Sequence, residues 1–260
     1  MIFLLVVKKE LTENRKNLLI YALTVFLVLL LQEVINAFIA VQSGITHVGY
    51  TNYAGSFSLF LFVGGFIITS MAFAQDMFTR EGQHNWLMLP ASRFEKFLAK
   101  GGLSACAYPI ALTILFALSS VIIELLTLAL FGTPMRLFNP ISQHVIHLIG
   151  HYLAVQSIFL LGSTFFRKGH FMKTVLAIGV IALAIGAFST LLVRVIFAPY
   201  ISDLFGAHIV LDSSTIQQHQ GFFGVSRWIL SILYRLILPL FCWVTSYIRV
   251  KEVQATDAIQ

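Results

Sequence analysis

The stretch LLIYALTVFLVLLLQEVINAFIA, residues 18–40, decides the fold class. Its only charged side chain is Glu33. A helix rises about 1.5 Å per residue, so a helix of this length crosses a hydrocarbon core about 30 Å thick. Because a backbone in lipid must satisfy its own hydrogen bonds, such a run has to be helical. The stretch therefore predicts a transmembrane helix.

Five further apolar runs pass the same test, at residues 54–74, 102–131, 144–166, 174–198 and 228–248. The chain of 260 residues is 58% hydrophobic and 11% charged, whereas soluble domains carry about 25% charged residues. No low-complexity linker or internal repeat divides it. We predict an all-α membrane protein with six transmembrane helices in a single transmembrane domain, residues 1–260. The third run is long enough to tilt, or to break near Pro109.

The positive charges predict the orientation. Thirteen of the 17 Lys and Arg residues precede the first run, follow the last, or lie between runs two and three or four and five. Cytoplasmic loops retain such charges, so both termini are expected inside the cell. The net charge of +6 does not indicate a nucleic-acid partner, because the cations punctuate apolar runs and form no solvated basic face. Cys106 and Cys242 lie within apolar runs and are expected to be buried free thiols.

Two segments outside these runs are amphipathic. Residues 3–16 place apolar side chains at helical spacing beside charged ones, which favours a helix lying at the inner membrane surface. The linker from Gln75 to Lys100 is the longest on the cytoplasmic side. Within it, Ser92 and Glu95 form the pattern of a capping box, which predicts a helix start. This linker is therefore expected to be structured.

Three stretches resemble a known family. The linker sequence FTREGQHNWLMLPASRFEKFLAK, residues 78–100, resembles the first cytoplasmic loop of ABC-2 type transporter permeases. The opening FLLVVKKELTENRKN, residues 3–17, resembles that family's amphipathic lead-in helix, and YIRVKEVQ, residues 247–254, resembles its exit from the last span. Six spans with both ends inside also match its layout.

The resemblance implies the membrane subunit of an ATP-driven exporter in the cytoplasmic membrane. A second copy or a related permease would complete it, and ATP and Mg would bind to a separate ATPase subunit. The linker would be the coupling helix on which the ATPase docks, with exposed Trp86, Leu87 and Met88 as apolar anchors. The expected docking residues are Asp76, Arg80, Glu81, Trp86, Leu87 and Arg93. The alternative interpretation of Trp86 is an aromatic residue of the membrane interface.

Common catalytic motifs are missing from the sequence. It contains no phosphate-binding G-x-x-x-x-G-K-[ST] loop; the nearest stretch, GHFMKT at Gly169 to Thr174, has Met172 where the second glycine belongs. Neither G-x-S-x-G nor H-E-x-x-H occurs. We therefore expect no enzymatic activity in this chain and no cofactor of its own.

Polar residues recur in the predicted outer halves of five runs. Ionisable groups in lipid usually face a protein interior or a water-filled cavity, which predicts an outer polar chamber. Its expected members are Glu33, Asn36, Glu124, His144, His147, His151, Arg194 and Arg235. They would serve either as ion pairs that hold helices together or as a substrate exit or gate. Residues 199–226 are expected to form short helices that cap the chamber.

Two alternative functions stay open. His144, His147 and His151 share one helix face and would suit a membrane-embedded metal-binding protein or enzyme, although their spacing does not show that they converge. Glu33, Glu124 and the histidines would instead carry protons in a secondary transporter.

Overall fold

The computed structural model describes residues 2–43, 53–88, 90–132, 135, 137–196 and 228–257. These residues form helices and contain no β-strand. In chain order the helices are α1 Ile2–Glu13, α2 Arg15–Ser43, α3 Tyr53–Leu59, α4 Gly65–Met71, α5 Ala74–Phe78, α6 Arg80–Met88, α7 Arg93–Gly102, α8 Tyr108–Phe131, α9 Gln143–Phe165, α10 His170–Ile196, α11 at 228–232 and α12 Leu238–Asp257. Residues 199–226, where the sequence predicts a cap, lie outside the described residues.

Within the described ranges, six helical segments are long and apolar enough to cross a membrane, as expected of a multi-pass membrane protein. We call them spans one to six: Arg15–Ile39, Tyr53–Phe78, Arg93–Phe131, Gln143–Phe165, His170–Leu192 and Trp228–Glu252. Each contains or overlaps one predicted run, so the prediction of helical structure with six such helices is confirmed for the residues that the structure describes. Span three is longer than predicted because α7 continues directly into it.

Local sequence signals fix the helix ends. The predicted capping box is confirmed, since the Ser92 hydroxyl accepts from the Glu95 amide and the Glu95 carboxylate accepts from the Ser92 amide. Ser142 caps α9 by accepting from the Val145 amide. Gly132 ends α8 with a left-handed φ of 66°. These caps separate spans two, three and four.

Three spans contain a π-helical turn, at Phe60–Gly64, Leu103–Ala107 and Leu233–Ile237. Two of these turns end two residues before a proline, Pro109 and Pro239. A proline removes one amide donor and its ring crowds the carbonyl four residues earlier, which lies within the turn in both spans. The extra residue of the π-turn relieves that crowding. Span three therefore passes Pro109 without the break that the sequence allows.

Span four lies at the centre of the bundle. Its helix α9 contacts α4, α10 and α12. Cys242 of span six is buried, but Cys106 is exposed, so the expectation of burial is wrong for that residue. Cys106 belongs to the π-turn of span three, in which Ser104 and Ala105 are the buried residues.

Candidate functional site

The ammonium group of Lys100, in α7, connects three other elements. Its Nζ donates to the carbonyl of Ala72 at 3.2 Å and contacts the Asp76 carboxylate near the end of span two. It also lies 3.4 Å from Oε1 of Glu10 in α1. The Trp86 ring of α6 lies beneath it, with the ring centroid 5.6 Å away. We call Glu10, Asp76, Trp86, Lys96 and Lys100 the lysine junction.

The charged side chains of this junction are largely shielded from water. The side chains of Lys100, Glu10 and Asp76 are only 11%, 14% and 20% exposed. An ion pair shielded from water is screened little by salt, and the loss of one partner leaves a charge that water no longer stabilises. The junction therefore holds α1, α7 and the end of span two in a fixed arrangement.

The structure contradicts the expectation from the sequence for one junction residue, Trp86. It was expected to be exposed, but it is 5% exposed and packs edge-on against Phe73. The buried Lys96 donates from Nζ to the Trp86 carbonyl and lies 5.5 Å from its ring centroid. A large aromatic ring and two lysine stems gain more by covering one another than by facing solvent. Trp86 thus braces the linker from inside and is not the exposed anchor that the sequence predicted.

An aromatic layer joins the junction to span six. The Phe97 ring stacks on Phe73, with centroids 5.5 Å apart, and meets the edge of Trp243 at 5.8 Å. Tyr247 also lies 5.6 Å from Phe97. A Cβ on Gly101 would press on the Trp243 ring, so a small residue is required there. The linker is therefore coupled to the last span as well as to spans two and three.

The pKa of Glu10 is raised above its ordinary value. Burial disfavours its charged form and the nearby Asp76 repels it, while Lys100 favours the charge. The ion-pair geometry alone would lower this pKa, but the loss of hydration outweighs the attraction. Glu10 therefore holds its proton more tightly when α1 is docked against α7 than when its carboxyl group is exposed to water.

The other predicted docking residues fall into two groups. Asp76 belongs to the junction, whereas Arg93 is exposed at the first turn of α7. Met88 is 69% exposed at the end of α6. The side chains of Arg80, Glu81 and Leu87 lie outside the described residues. Met88 and Arg93 are thus the described side chains of this set that face outward.

A second polar region lies where the π-turns of spans two and three meet spans one and four. The hydroxyls of Tyr21 and Tyr108 are 2.7 Å apart, and both approach the carbonyl of Phe60 in the first π-turn. Tyr152 donates to the Ser104 carbonyl in the second π-turn at 2.7 Å. A π-turn leaves carbonyls without their usual helical donor, and tyrosine hydroxyls supply it here. We call these three residues the tyrosine clasp.

Gln156 extends the clasp into span four. It is fully buried and donates from Nε2 to the Ser104 hydroxyl at 3.0 Å. Its Oε1 has no hydrogen-bond partner among the described residues. The Ser104 hydroxyl already donates to the Gly101 carbonyl. If the side-chain amide of Gln156 were rotated by half a turn, its other polar atom would therefore lack a hydrogen-bond partner.

The predicted outer-chamber residues occupy different environments. Glu33 and Glu124 are buried, and Tyr53 donates to Oε1 of Glu124 at 3.1 Å. Asn36 is half-buried, while Arg194 and Arg235 are exposed within this single chain. The two acids thus face the bundle between spans one, two and three, and the chamber as a whole stays a prediction.

The three histidines of span four do not form a cluster. His144, His147 and His151 are all exposed on α9, and His151 lies against the Tyr234 ring at 5.8 Å. Among the described parts of the chain, no group of three or more His, Cys, Asp or Glu side chains is arranged to hold a metal ion.

Sequence reasoning missed Glu10, Lys96 and Lys100 as site residues. They look like ordinary positive-inside charges and surface charges of an amphipathic helix. It also missed the tyrosine clasp, although the pair Tyr108–Pro109 inside an apolar run carried a signal, because a proline there frees backbone groups that need a polar partner.

Comparisons of the chain with protein-family models, with characterised proteins and with solved structures find no significant match.

Proposed function

We propose that this chain is the permease subunit of an ABC-2 type transporter, which exports a substrate across the cytoplasmic membrane. A separate ATPase subunit would bind ATP and Mg and dock at α6 and α7, and a second copy or a related permease would complete the translocation path. Both termini would lie in the cytoplasm, following the distribution of Lys and Arg.

The lysine junction is the observation that supports this proposal most. A permease without an ATPase motif needs a rigid connection between a docking element and its spans. The linker α6–α7 has such a connection, since Lys100 joins it to α1 and span two, and Phe97 joins it to span six. A displacement of α6 would therefore reach several spans together.

The π-turns offer places where such a displacement changes the shape of a span. They interrupt regular hydrogen bonding in spans two, three and six, and π-turns often mark functional positions. The tyrosine clasp holds two of them in register. In this mechanism the junction carries the motion, the π-turns absorb it, and the accessibility of the path between two permeases changes.

The exposed residues Met88 and Arg93 are the proposed contact with the ATPase. The test is co-expression with a candidate ABC ATPase subunit, followed by copurification and measurement of ATP hydrolysis. The double variant Met88→Glu/Arg93→Glu places two negative charges on the proposed face and is expected to lower copurification at least tenfold.

A matched control is available on another linker. Arg167 lies between spans four and five and Met172 in the first turn of span five, and both are exposed on the same proposed side of the membrane. The variant Met172→Glu/Arg167→Glu should leave copurification unchanged. Equal losses in both variants, or no loss in either, would remove the proposed docking face.

The second candidate function is a proton-coupled secondary transporter. The burial of Glu33 and Glu124 beside Tyr53 favours it, because buried carboxyls in spans are typical of proton relays. Proteoliposomes distinguish the two functions. Uptake or release driven by a pH gradient without ATP, and lost in Glu124→Gln, would support the second candidate, whereas a requirement for the ATPase and ATP would support the first.

A further inference from the structure

The outward face of α1 alternates leucines with cations. Leu4, Lys8, Leu11 and Arg15 follow one another at helical intervals of four, three and four residues, which places them within about 60° around the axis. The helical bonding continues past Glu13, because the Asn14 amide bonds the Glu10 carbonyl at 3.1 Å and the Leu18 amide bonds the Asn14 carbonyl at 2.9 Å. The four residues therefore form one continuous stripe.

This stripe faces away from the protein. Leu4 is 69% exposed and Leu11 is 45% exposed, and Lys8 and Arg15 are exposed as well. The opposite face of α1 contains the buried Val6 and the junction residue Glu10, and it packs against α7. Neither Lys8 nor Arg15 forms a salt bridge with the residues that the structure describes, whereas the neighbouring Lys9 pairs with Glu13 at 3.5 Å.

The position of the stripe indicates what covers it. Arg15 begins span one, so the stripe ends where the chain enters the bilayer. In an amphipathic helix that lies at a membrane surface, leucines reach the boundary of the acyl chains and long cationic side chains extend to the phosphate level. A neutral membrane would satisfy the leucines alone, but the two unpaired cations are complementary to a negatively charged surface.

We infer that the stripe Leu4–Lys8–Leu11–Arg15 binds the headgroups of anionic lipids and thereby holds α1 against the lysine junction. The lipid acts as a ligand of the docked helix, since only that position presents Glu10 to Lys100 and the stripe to the membrane together. This inference does not depend on an ATPase partner or on the direction of transport.

The test measures amide hydrogen exchange in residues 2–13 of the full chain. The chain is reconstituted into nanodiscs of phosphatidylcholine alone or of phosphatidylcholine with phosphatidylglycerol. Each cation near an anionic surface is expected to slow exchange about fivefold, so the pair predicts about 25-fold slower exchange in the anionic discs. Raising the salt concentration should reduce the difference, because salt screens exposed charges.

Two variants separate the stripe from general charge effects. Lys8→Gln/Arg15→Gln should lose most of the slowing, while Arg167→Gln/Lys168→Gln, which removes two exposed cations from another linker, should retain it. Unchanged exchange within span four serves as the control that the variants are folded.

Three results would overturn the inference. They are equal exchange of α1 in the two kinds of disc, equal slowing in the Lys8/Arg15 variant, and full slowing by inorganic phosphate in discs of phosphatidylcholine alone. The last result would identify a free anion, and not the lipid surface, as the ligand.

Discussion

Spans four and five have the same length but opposite surroundings. Each has 23 residues, yet 44% of an apolar 18-residue stretch of span four is buried, and no residue of the corresponding stretch of span five is. Span five is the more apolar of the two. In a soluble protein the more apolar helix would lie in the core; here it faces outward. Between these two spans, burial therefore follows polarity, because lipid solvates leucine well and glutamine poorly.

The two spans show this in their buried residues. Span four buries Tyr152, Gln156, Ser157 and Ser163. The two serines each donate to a carbonyl three residues earlier in their own helix. Span five contacts the bundle through its first turns, and every described residue from 179 to 192 is exposed. The same kind of substitution is therefore expected to change stability differently in the packed region around span four and in the exposed part of span five.

The largest difference in the free energy of unfolding between the packed and the exposed regions is expected when a lysine is replaced. Lys100→Met leaves Glu10 and Asp76 facing each other without their cation, which should lower the free energy of unfolding by about 3 kcal/mol. Lys173→Met, at an exposed position in span five, should change it by less than about 0.5 kcal/mol. Unfolding in detergent by increasing SDS measures both variants. A Lys100→Met/Asp76→Asn variant should recover part of the loss.

Glycine substitutions should give the next largest difference. A Cβ on Gly162 would overlap the Thr174 side chain at the contact between spans four and five, whereas Gly186 has open space around it. Gly162→Ala should therefore cost about 1–3 kcal/mol, and Gly186→Ala should be neutral or slightly stabilising. The same SDS titration applies, and equal effects of the two substitutions would contradict the packing described for Gly162.

Removal of one hydroxyl should have a smaller effect. Tyr152→Phe deletes the donor to the Ser104 carbonyl in the π-turn, with an expected loss of about 1 kcal/mol. Thr190→Val on span five removes a hydroxyl that bonds its own helix at an exposed position, and little change is expected. If Tyr152→Phe is as stable as the unaltered chain, the clasp does not support the π-turn.

The smallest expected effect is that of pH on α1. Because the pKa of Glu10 is raised in the docked position, its contribution to docking is complete below the ordinary glutamate pKa of 4.5 and is lost as the pH rises through the raised value. Exchange of the α1 amides, corrected for the intrinsic effect of pH, should therefore be slower in mild acid than at neutral pH. Glu10→Gln should remove this dependence, and a dependence that persists in this variant would assign it to another group.

The sequence predicts the helices of this fold well because the bilayer limits the choices. A long run such as residues 18–40 has only one acceptable backbone structure in lipid. The capping box at Ser92 and Glu95 is equally local, since both partners lie within one turn. The disturbance near Pro109 was also predictable, although its form, a π-turn and not a break, depends on neighbouring helices that provide donors.

The sequence does not predict the contacts between distant segments. Lys100 pairs with Glu10, and nothing in either local pattern indicates that two charges so far apart in the chain share one site. The burial of Trp86 has the same origin, since it depends on Phe73 and Lys96 closing around the ring. Hydropathy gives the number of spans, but the partners of each polar residue follow only from the packing.

The proposed motion of α6–α7 under an ATPase is tested most directly by a distance measurement. Spin labels at the exposed positions Leu98 and Met172 report on α7 relative to span five. In the complex with the ATPase, trapping ATP should shift the distance between the labels, and neither ATP alone nor the ATPase alone should do so. An unchanged distance in a complex that hydrolyses ATP would contradict the account.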